Sequence, residues 1–317
     1  MTLRRAMAAA ALLASALPAT PVVGGGAAIV TCDVLVLGAD GLPVTDLTQR
    51  DFQILIDGVP APIAQFGPAP TGISMVLMID ATMSQPLKRY EIHAAIANNW
   101  LPSLEAGDRA RIGIVGGEIA IGPWLSPDRA SNVPALRASV ERAPTEPSPI
   151  WDAVDRAVTA LAGTPGPKVI VLVTDGRSAG NALSLEDAAK RAVAADVSIS
   201  VVSEGGEQLL PQGGDPATRL RPDASLRWLA DATGGVYLED GVARRTASPR
   251  LDPFGYVREV IDTPNRPGPL LSRILSVTRQ RYRVGFAAAS DRQVHALDVR
   301  VGRPGLLVIA KRSYVAG

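Results

Sequence analysis

Apolar residues run without interruption from Met75 to Ile79 and again from Val169 to Val173. The first run stops at Asp80, the second at Thr174-Asp175-Gly176. Continuous apolar runs of this length predict strands buried on both faces, as in the middle of a parallel sheet. Further strands are expected at Arg111 to Val115, Val197 to Val202 and Gly235 to Leu238. Helical segments are expected between them, at Lys88 to Leu101, Val133 to Arg142, Ile150 to Ala162, Leu185 to Ala194 and Ser225 to Thr233. This alternation predicts an α/β domain over residues 73–250, with a doubly wound, mainly parallel sheet covered by helices on both faces.

The flanks read differently. Residues 28–66 hold the apolar runs Ile29 to Leu37 and Phe52 to Ile56, broken by Asp40-Gly41-Leu42-Pro43 and Asp57-Gly58. Asp-Gly between apolar runs is a hairpin or turn signal. Phe66 to Gly72, rich in Pro and Gly, reads as a linker, and the polar stretch 204–223 as a surface insertion. Residues 251–279 read as a connecting helical segment broken at Pro264 to Pro269. Residues 280–317 return to β-type runs at Arg281 to Phe286, Val294 to Val301 and Leu306 to Lys311. β-rich segments at both ends imply that the N- and C-terminal segments form one small β-sandwich-like domain, with the α/β domain inserted between them.

Residues 1–20 have the form of a signal peptide: Arg4-Arg5, the uncharged stretch Ala6 to Leu17, then small residues to Thr20. The apolar stretch is too short to span a bilayer, so the mature chain is expected to be exported, periplasmic or extracellular, with no transmembrane helix. Lys and Arg number 32 against 31 Asp and Glu, and removing Arg4 and Arg5 leaves 30 against 31. Such a balance provides no field for nucleic acid, and aromatics at 4% provide no stacking platform for single strands. Cys32 is the only cysteine, which excludes an internal disulfide, and it lies inside an expected strand as a small buried hydrophobe.

Asp80-Ala81-Thr82-Met83-Ser84 places one carboxylate and two hydroxyls where a central strand leaves the sheet. In open α/β sheets this is the edge at which ligands bind. Three hard oxygens on one loop suit a cation such as Mg²⁺, and the same residue types suit a helix N-cap. Two further loops carry Ser148, just before Ile150-Trp151-Asp152-Ala153, and Asp175.

With these three loops the chain resembles the von Willebrand factor A family, and within it the secreted bacterial von Willebrand factor A-related proteins. The resemblance covers Ala28 to Val315. It implies a metal-ion-dependent adhesion site built from Asp80, Thr82, Ser84, Ser148 and Asp175, with Thr82 standing for Ser and Ser148 for Thr. It also implies Mg²⁺ as the ion, with Mn²⁺ or Ca²⁺ as substitutes, and a protein partner that offers an Asp or Glu carboxylate. Trp151, Gln85 and Arg177 would line the partner-facing rim. Thr145 is the competing hydroxyl in the Ser148 loop, where Pro147 and Pro149 restrict the backbone.

On this reading the protein is a binding module and not an enzyme. One alternative is an interaction scaffold of the same fold that works without metal. Another is a haloacid-dehalogenase-like phosphotransferase with Asp80 as nucleophile. That chemistry calls for a closely spaced acidic pair downstream, whereas the first acid after Asp175 is Glu186. His93 and His295, with no Gly-x-Ser-x-Gly elbow, offer no hydrolytic triad.

Overall fold

The computed structural model describes residues 28–81, 92–125, 132, 146–204, 222–240, 250–251, 257–258, 267–288 and 291–315. The expected helix at Val133 to Arg142, together with Thr82, Ser84, Gln85 and Thr145, lies outside the described residues.

In chain order the N-terminal strands are β1 (Ala28–Leu37), β2 (Phe52–Ile56), β3 (Val59–Ala61) and β4 (Ile63–Pro68). The next strands are β5 (Ser74–Asp80), β6 (Arg109–Val115), β7 (Ala120–Ile121), β8 (Lys168–Thr174), β9 (Val197–Glu204) and β10 (Tyr237–Asp240). Helices α1 (Ile150–Ala160), α2 (Leu185–Ala194) and α3 (Pro222–Thr233) alternate with the later of these strands. The short pair β11 (Arg250–Leu251) and β12 (Val257–Arg258) precedes α4 (Pro267–Arg279). The chain closes with β13 (Tyr282–Ala288), β14 (Val294–Val301), β15 (Leu307–Ile309) and β16 (Ser313–Val315).

β5 is the middle of a six-stranded sheet of order β10-β9-β8-β5-β6-β7. All its pairings are parallel except that of the short edge strand β7. Alternate side chains of β5 feed two cores. Met75, Leu77 and Ile79 pack with Ile92, Ile96 and Trp100, and with Leu271 and Ile274 of α4. Val76 and Met78 pack with Ile150 and Val154 of α1, Ala188 of α2 and Leu226 of α3. Residues 75–79 are at most 1% exposed, and each large apolar side chain so buried contributes roughly 1.5–3 kcal/mol. This explains why an uninterrupted apolar run, rather than an alternating one, marks the centre of the sheet.

The strands of the two chain ends pair with one another. One four-stranded sheet has the order β15-β1-β13-β4, the other β16-β14-β2-β3. Cys32, Val34, Val36, Phe52, Ile54, Val284, Phe286 and Tyr314 share one buried cluster. Leu35 and Leu37, on the opposite side of β1, pack instead into the α4 face of the α/β core. Burial pushes the Cys32 thiol up to about 11, so its sulfur stays protonated as part of the core. Arg283 of β13 binds the Asp33 carboxylate of β1 through Nε and Nη2, both at 2.7 Å.

The structure moves several expected boundaries. Phe66 to Pro68, read as linker, belongs to β4 and pairs with β13. β4 is an edge strand, where the missing N–H of Pro68 costs no ladder bond. The expected helix at Lys88 to Leu101 is α-helical at 92–95, widens to a π-helix at Ile96–Trp100 and tightens to a 3-10 turn at Leu101–Ser103. Within the expected connecting helical segment, Leu251 and Val257–Arg258 are β-paired and the helix occupies Pro267–Arg279.

His295 of β14 ties two turns together. Its Nδ1 lies 2.8 Å from Asp57 Oδ2, and its Nε2 lies 3.1 Å from Asp291 Oδ2. These hydrogen bonds raise the imidazole above its ordinary 6.5 and hold the Asp57 carboxyl below its ordinary 3.8, and Asp291 is held below that value first by the N–H of Gln293 and then by His295. A raised His contributes stability that is full below its unfolded value and lost as pH rises through its folded one. The depressed carboxyls contribute above their unfolded value and lose that contribution in acid. The melting temperature should therefore fall as pH rises from about 6 to about 8, with a flatter profile in His295→Gln. Parallel profiles for the two proteins would contradict this.

Candidate functional site at the carboxyl edge of the sheet

Counting from β5, the sheet runs outward through β6 and β7 on one side and through β8, β9 and β10 on the other. The strand order therefore reverses between β5 and β8. A doubly wound sheet binds its ligands in the crevice at the carboxyl ends of the strands flanking such a reversal. Asp80 ends β5 and Thr174 ends β8.

Asp80 is 0% exposed. Its Oδ2 accepts hydrogen bonds from Ser148 Oγ at 3.1 Å and from Thr174 Oγ1 at 2.7 Å. A buried carboxylate is costly unless polar partners replace the water it has lost, and two hydroxyls from two other elements supply them here. Thr174 Oγ1 also accepts from Gly176 N at 2.9 Å, which fixes the start of the loop after β8. Ser148, 2% exposed, sits immediately before α1.

That loop is clamped to the start of α1. Asn181 Oδ1 accepts from Trp151 N at 2.7 Å, and Asn181 Nδ2 donates to Ser178 Oγ at 2.7 Å. Asp152 accepts from Ala182 N and Leu183 N, both at 2.8 Å, and Ala179 N donates to Ser148 O at 2.8 Å. The N-cap residue Pro149 makes no side-chain cap. Asn181 thus reaches across from the neighbouring loop to occupy one of the first-turn N–H groups that a helix leaves unpaired. These bonds set the position of Ser148 relative to Asp80.

Of the five expected ligands, Asp80 and Ser148 are brought into direct contact. Asp175 follows Thr174 and turns its carboxylate to its own loop, with Oδ1 accepting from Arg177 N at 2.9 Å and Oδ2 lying 3.7 Å from Arg177 Nε. Thr82 and Ser84 lie outside the described residues. Among the rim residues, Arg177 is exposed beside Asp175, and Trp151 is half-buried against the α1 to α3 core. Thr174, Asp152 and Asn181 were not expected. A hydroxyl closing an apolar run next to an acid was a usable signal for Thr174, whereas the partners of Asp152 and Asn181 lie about thirty residues away in sequence.

The donor set suits a hard cation. Ser148 Oγ directs its proton at Asp80, which leaves its lone pairs for a metal, and hydroxyl and carboxylate oxygens are the ligands Mg²⁺ takes. Among the described residues no three His, Cys, Asp or Glu side chains gather as metal ligands. No helix among them is long and apolar enough to cross a membrane.

No protein-family model matches the chain. A trehalose-phosphate phosphatase of Mycobacterium avium (strain 104) is 32% identical over 138 residues, 44% of this chain and 30% of that protein. The chain therefore spans less than a third of that relative's length. Three solved structures overlap more of the chain. BatB from Bacteroides thetaiotaomicron matches 65% of this chain and 98% of its own at 18% identity, with a TM-score of 0.43. The von Willebrand factor type A protein from Catenulispora acidiphila matches 90% and 73% at 12% identity, with a TM-score of 0.42. The SpRpn10 VWA domain matches 64% and 93% at 11% identity, with a TM-score of 0.39. The solved structures to which this chain is similar thus include von Willebrand factor A domains and a BatB protein.

Proposed function

We propose that the chain is an exported, non-enzymatic binding module of the von Willebrand factor A type, whose cation site takes Mg²⁺ and engages an Asp or Glu carboxylate of a protein partner. The observation that carries this reading is the buried Asp80 carboxylate at the strand-order reversal, held by hydroxyls from two other elements. Asp80, Thr82, Ser84, Ser148 and Asp175 would hold the ion. When bound, Mg²⁺ would supply an electrophilic position that a carboxylate from outside can fill. Asp80 fixes the orientation of Ser148 Oγ, Thr174 fixes Asp80, and the clamp from Asn181 and Asp152 keeps the Ser148 loop in place. On this reading the two terminal sheets form a separate β-sandwich-like unit beside the binding domain.

A phosphotransferase reading is favoured only by the partial likeness to a protein named as a phosphatase. That chemistry calls for a closely spaced acidic pair downstream of the nucleophile, and the first acid after Asp175 is Glu186. The deciding experiment is thermal unfolding of the full chain with Mg²⁺, with Mn²⁺ and with chelator. A saturable rise with either metal is expected. No rise would overturn the metal reading in favour of a metal-independent scaffold, and covalent phosphate on Asp80 after incubation with acetyl phosphate would replace it with the enzyme.

A further inference from the structure

At the opposite edge of the sheet lies a second polar cavity, between the start of β8 and β9 and the terminal sheets. Lys168, Asp196, Arg281, Lys311 and Asp33 are among its lining residues. Lys168 opens β8 and Thr174 closes it, so a strand of seven residues separates this cavity from the Asp80 site, roughly 20 Å.

Arg281 is the unusual member. It is 5% exposed, and burial pulls its guanidinium down from its ordinary value. Its Nη1 donates to Gly234 O at 2.7 Å and more weakly to Asp33 O at 3.4 Å. Nε and Nη2 are buried and have no hydrogen-bond partner among the described residues. These two nitrogens form the side-on fork of the guanidinium, the edge that binds two oxygens of one anion. Arg283, two residues on, uses the same fork for both oxygens of Asp33 at 2.7 Å. The Asp33 carboxylate, which also lines the cavity, is therefore already taken.

The other charges do not fill the gap. Lys311 Nζ donates to Asp196 Oδ1 at 2.7 Å and Lys168 Nζ to Ala195 O at 2.8 Å. Among the lining residues Lys168, Arg281 and Lys311 stand against Asp33 and Asp196. The hydroxyls of Thr233 and Thr278 are spent on the carbonyls of their own helices. A buried guanidinium with an unused fork in a cationic cavity is unfavourable without a counter-charge.

We propose that this cavity is an anion site, in which Nε and Nη2 of Arg281 bind two oxygens of a small tetrahedral oxyanion of the inorganic phosphate or sulfate class. The anion bridges the two halves of the fold. Arg281 and Lys311 come from the terminal sheets' side, Lys168 from the start of a core strand. Its binding fastens the terminal sheets to the α/β layer and does not depend on the cation site.

The test is calorimetric titration and thermal unfolding of the full chain with potassium phosphate, at constant ionic strength set with potassium chloride to remove general salt effects. The wild type should bind phosphate saturably and unfold at higher temperature with it. Arg281→Lys, which keeps the charge and loses the fork, should bind about tenfold more weakly. Arg281→Leu should lose the response, and if it fails to fold the Lys variant carries the comparison. The proposal is overturned by no saturable response in the wild type, by an unchanged response in Arg281→Lys, or by acetate acting as strongly as phosphate.

Discussion

Asp80→Ala should abolish the Mg²⁺-dependent rise in melting temperature while changing metal-free stability comparatively little. A ligand present at 100 times its dissociation constant stabilises the folded state by about 2.7 kcal/mol, which for a chain of this size is a rise of about 4 °C. That whole rise depends on the carboxylate if Asp80 anchors the ion. In chelator two effects oppose each other. Ser148 Oγ and Thr174 Oγ1 lose their shared acceptor, at a cost of about 1–3 kcal/mol for each hydroxyl left unsatisfied. Against this, a fully buried carboxylate and its desolvation penalty disappear. The net is a modest change of either sign, so the metal response, not the baseline, is the diagnostic quantity. Asp80→Asn sharpens the test, because it keeps volume and one acceptor oxygen while removing the charge. It should restore most of any lost baseline and none of the metal response. A wild-type-sized Mg²⁺ response in Asp80→Ala would sink the assignment.

How much of this site could be read in advance depends on how local its determinants are. The strands that carry Asp80 and Thr174 were legible because a strand between two others, covered on both faces, admits only apolar side chains. A polar residue after such a run then marks where the backbone leaves the sheet, which is why Asp80 stood out, and Asp175 one residue beyond the end of its strand. Thr174 was passed over despite its place beside that acid, since a threonine at the end of a strand also reads as an ordinary β-former. The bonds from Asn181 to Trp151 and from Asp152 to Ala182 join loops that only the fold brings together. β4 stayed hidden for a different reason. Gly67 and Pro68 look like linker residues, and only the edge position of the strand makes them acceptable. The change of helix type between Ile96 and Ser103 was equally silent, because α, π and 3-10 turns differ in hydrogen-bond span more than in residue preference.

Gly235→Ala should be among the most destabilising single substitutions in the described residues, with no metal or anion involved. Asp231-Ala232-Thr233-Gly234-Gly235 looks superficially like a phosphate loop, but its hydrogen bonds are those of a helix end. Gly235 N donates to Ala230 O at 2.8 Å and Gly234 N to Asp231 O at 3.2 Å, with Gly234 at φ 75°, the paired bonds of a Schellman cap. This turn drops the chain directly onto β9 on the way into β10. A Cβ on Gly235 would lie 1.9 Å from Ile199 O, 2.3 Å from Ile199 C and 2.8 Å from Ser200 N. All three are backbone atoms of a strand held on both sides, by β8 and β10, so the methyl group can be admitted only by breaking pairing on one of them. Overpacking with no flexible side chain to yield costs about 3 kcal/mol, which for a chain of this size corresponds to a fall in melting temperature of about 4–5 °C. Gly163→Ala is the matched control. That residue has positive φ, at 69°, which Gly235 does not, and a Cβ there meets nothing within 4 Å, so a backbone term of about 1–2 kcal/mol acts there with no clash. If Gly235→Ala unfolds no lower than Gly163→Ala, the close approach of this turn to β9 is wrong. Provided the variant folds below its lowered transition, its Mg²⁺ response should match the wild type, because the turn sits at the end of the sheet remote from Asp80.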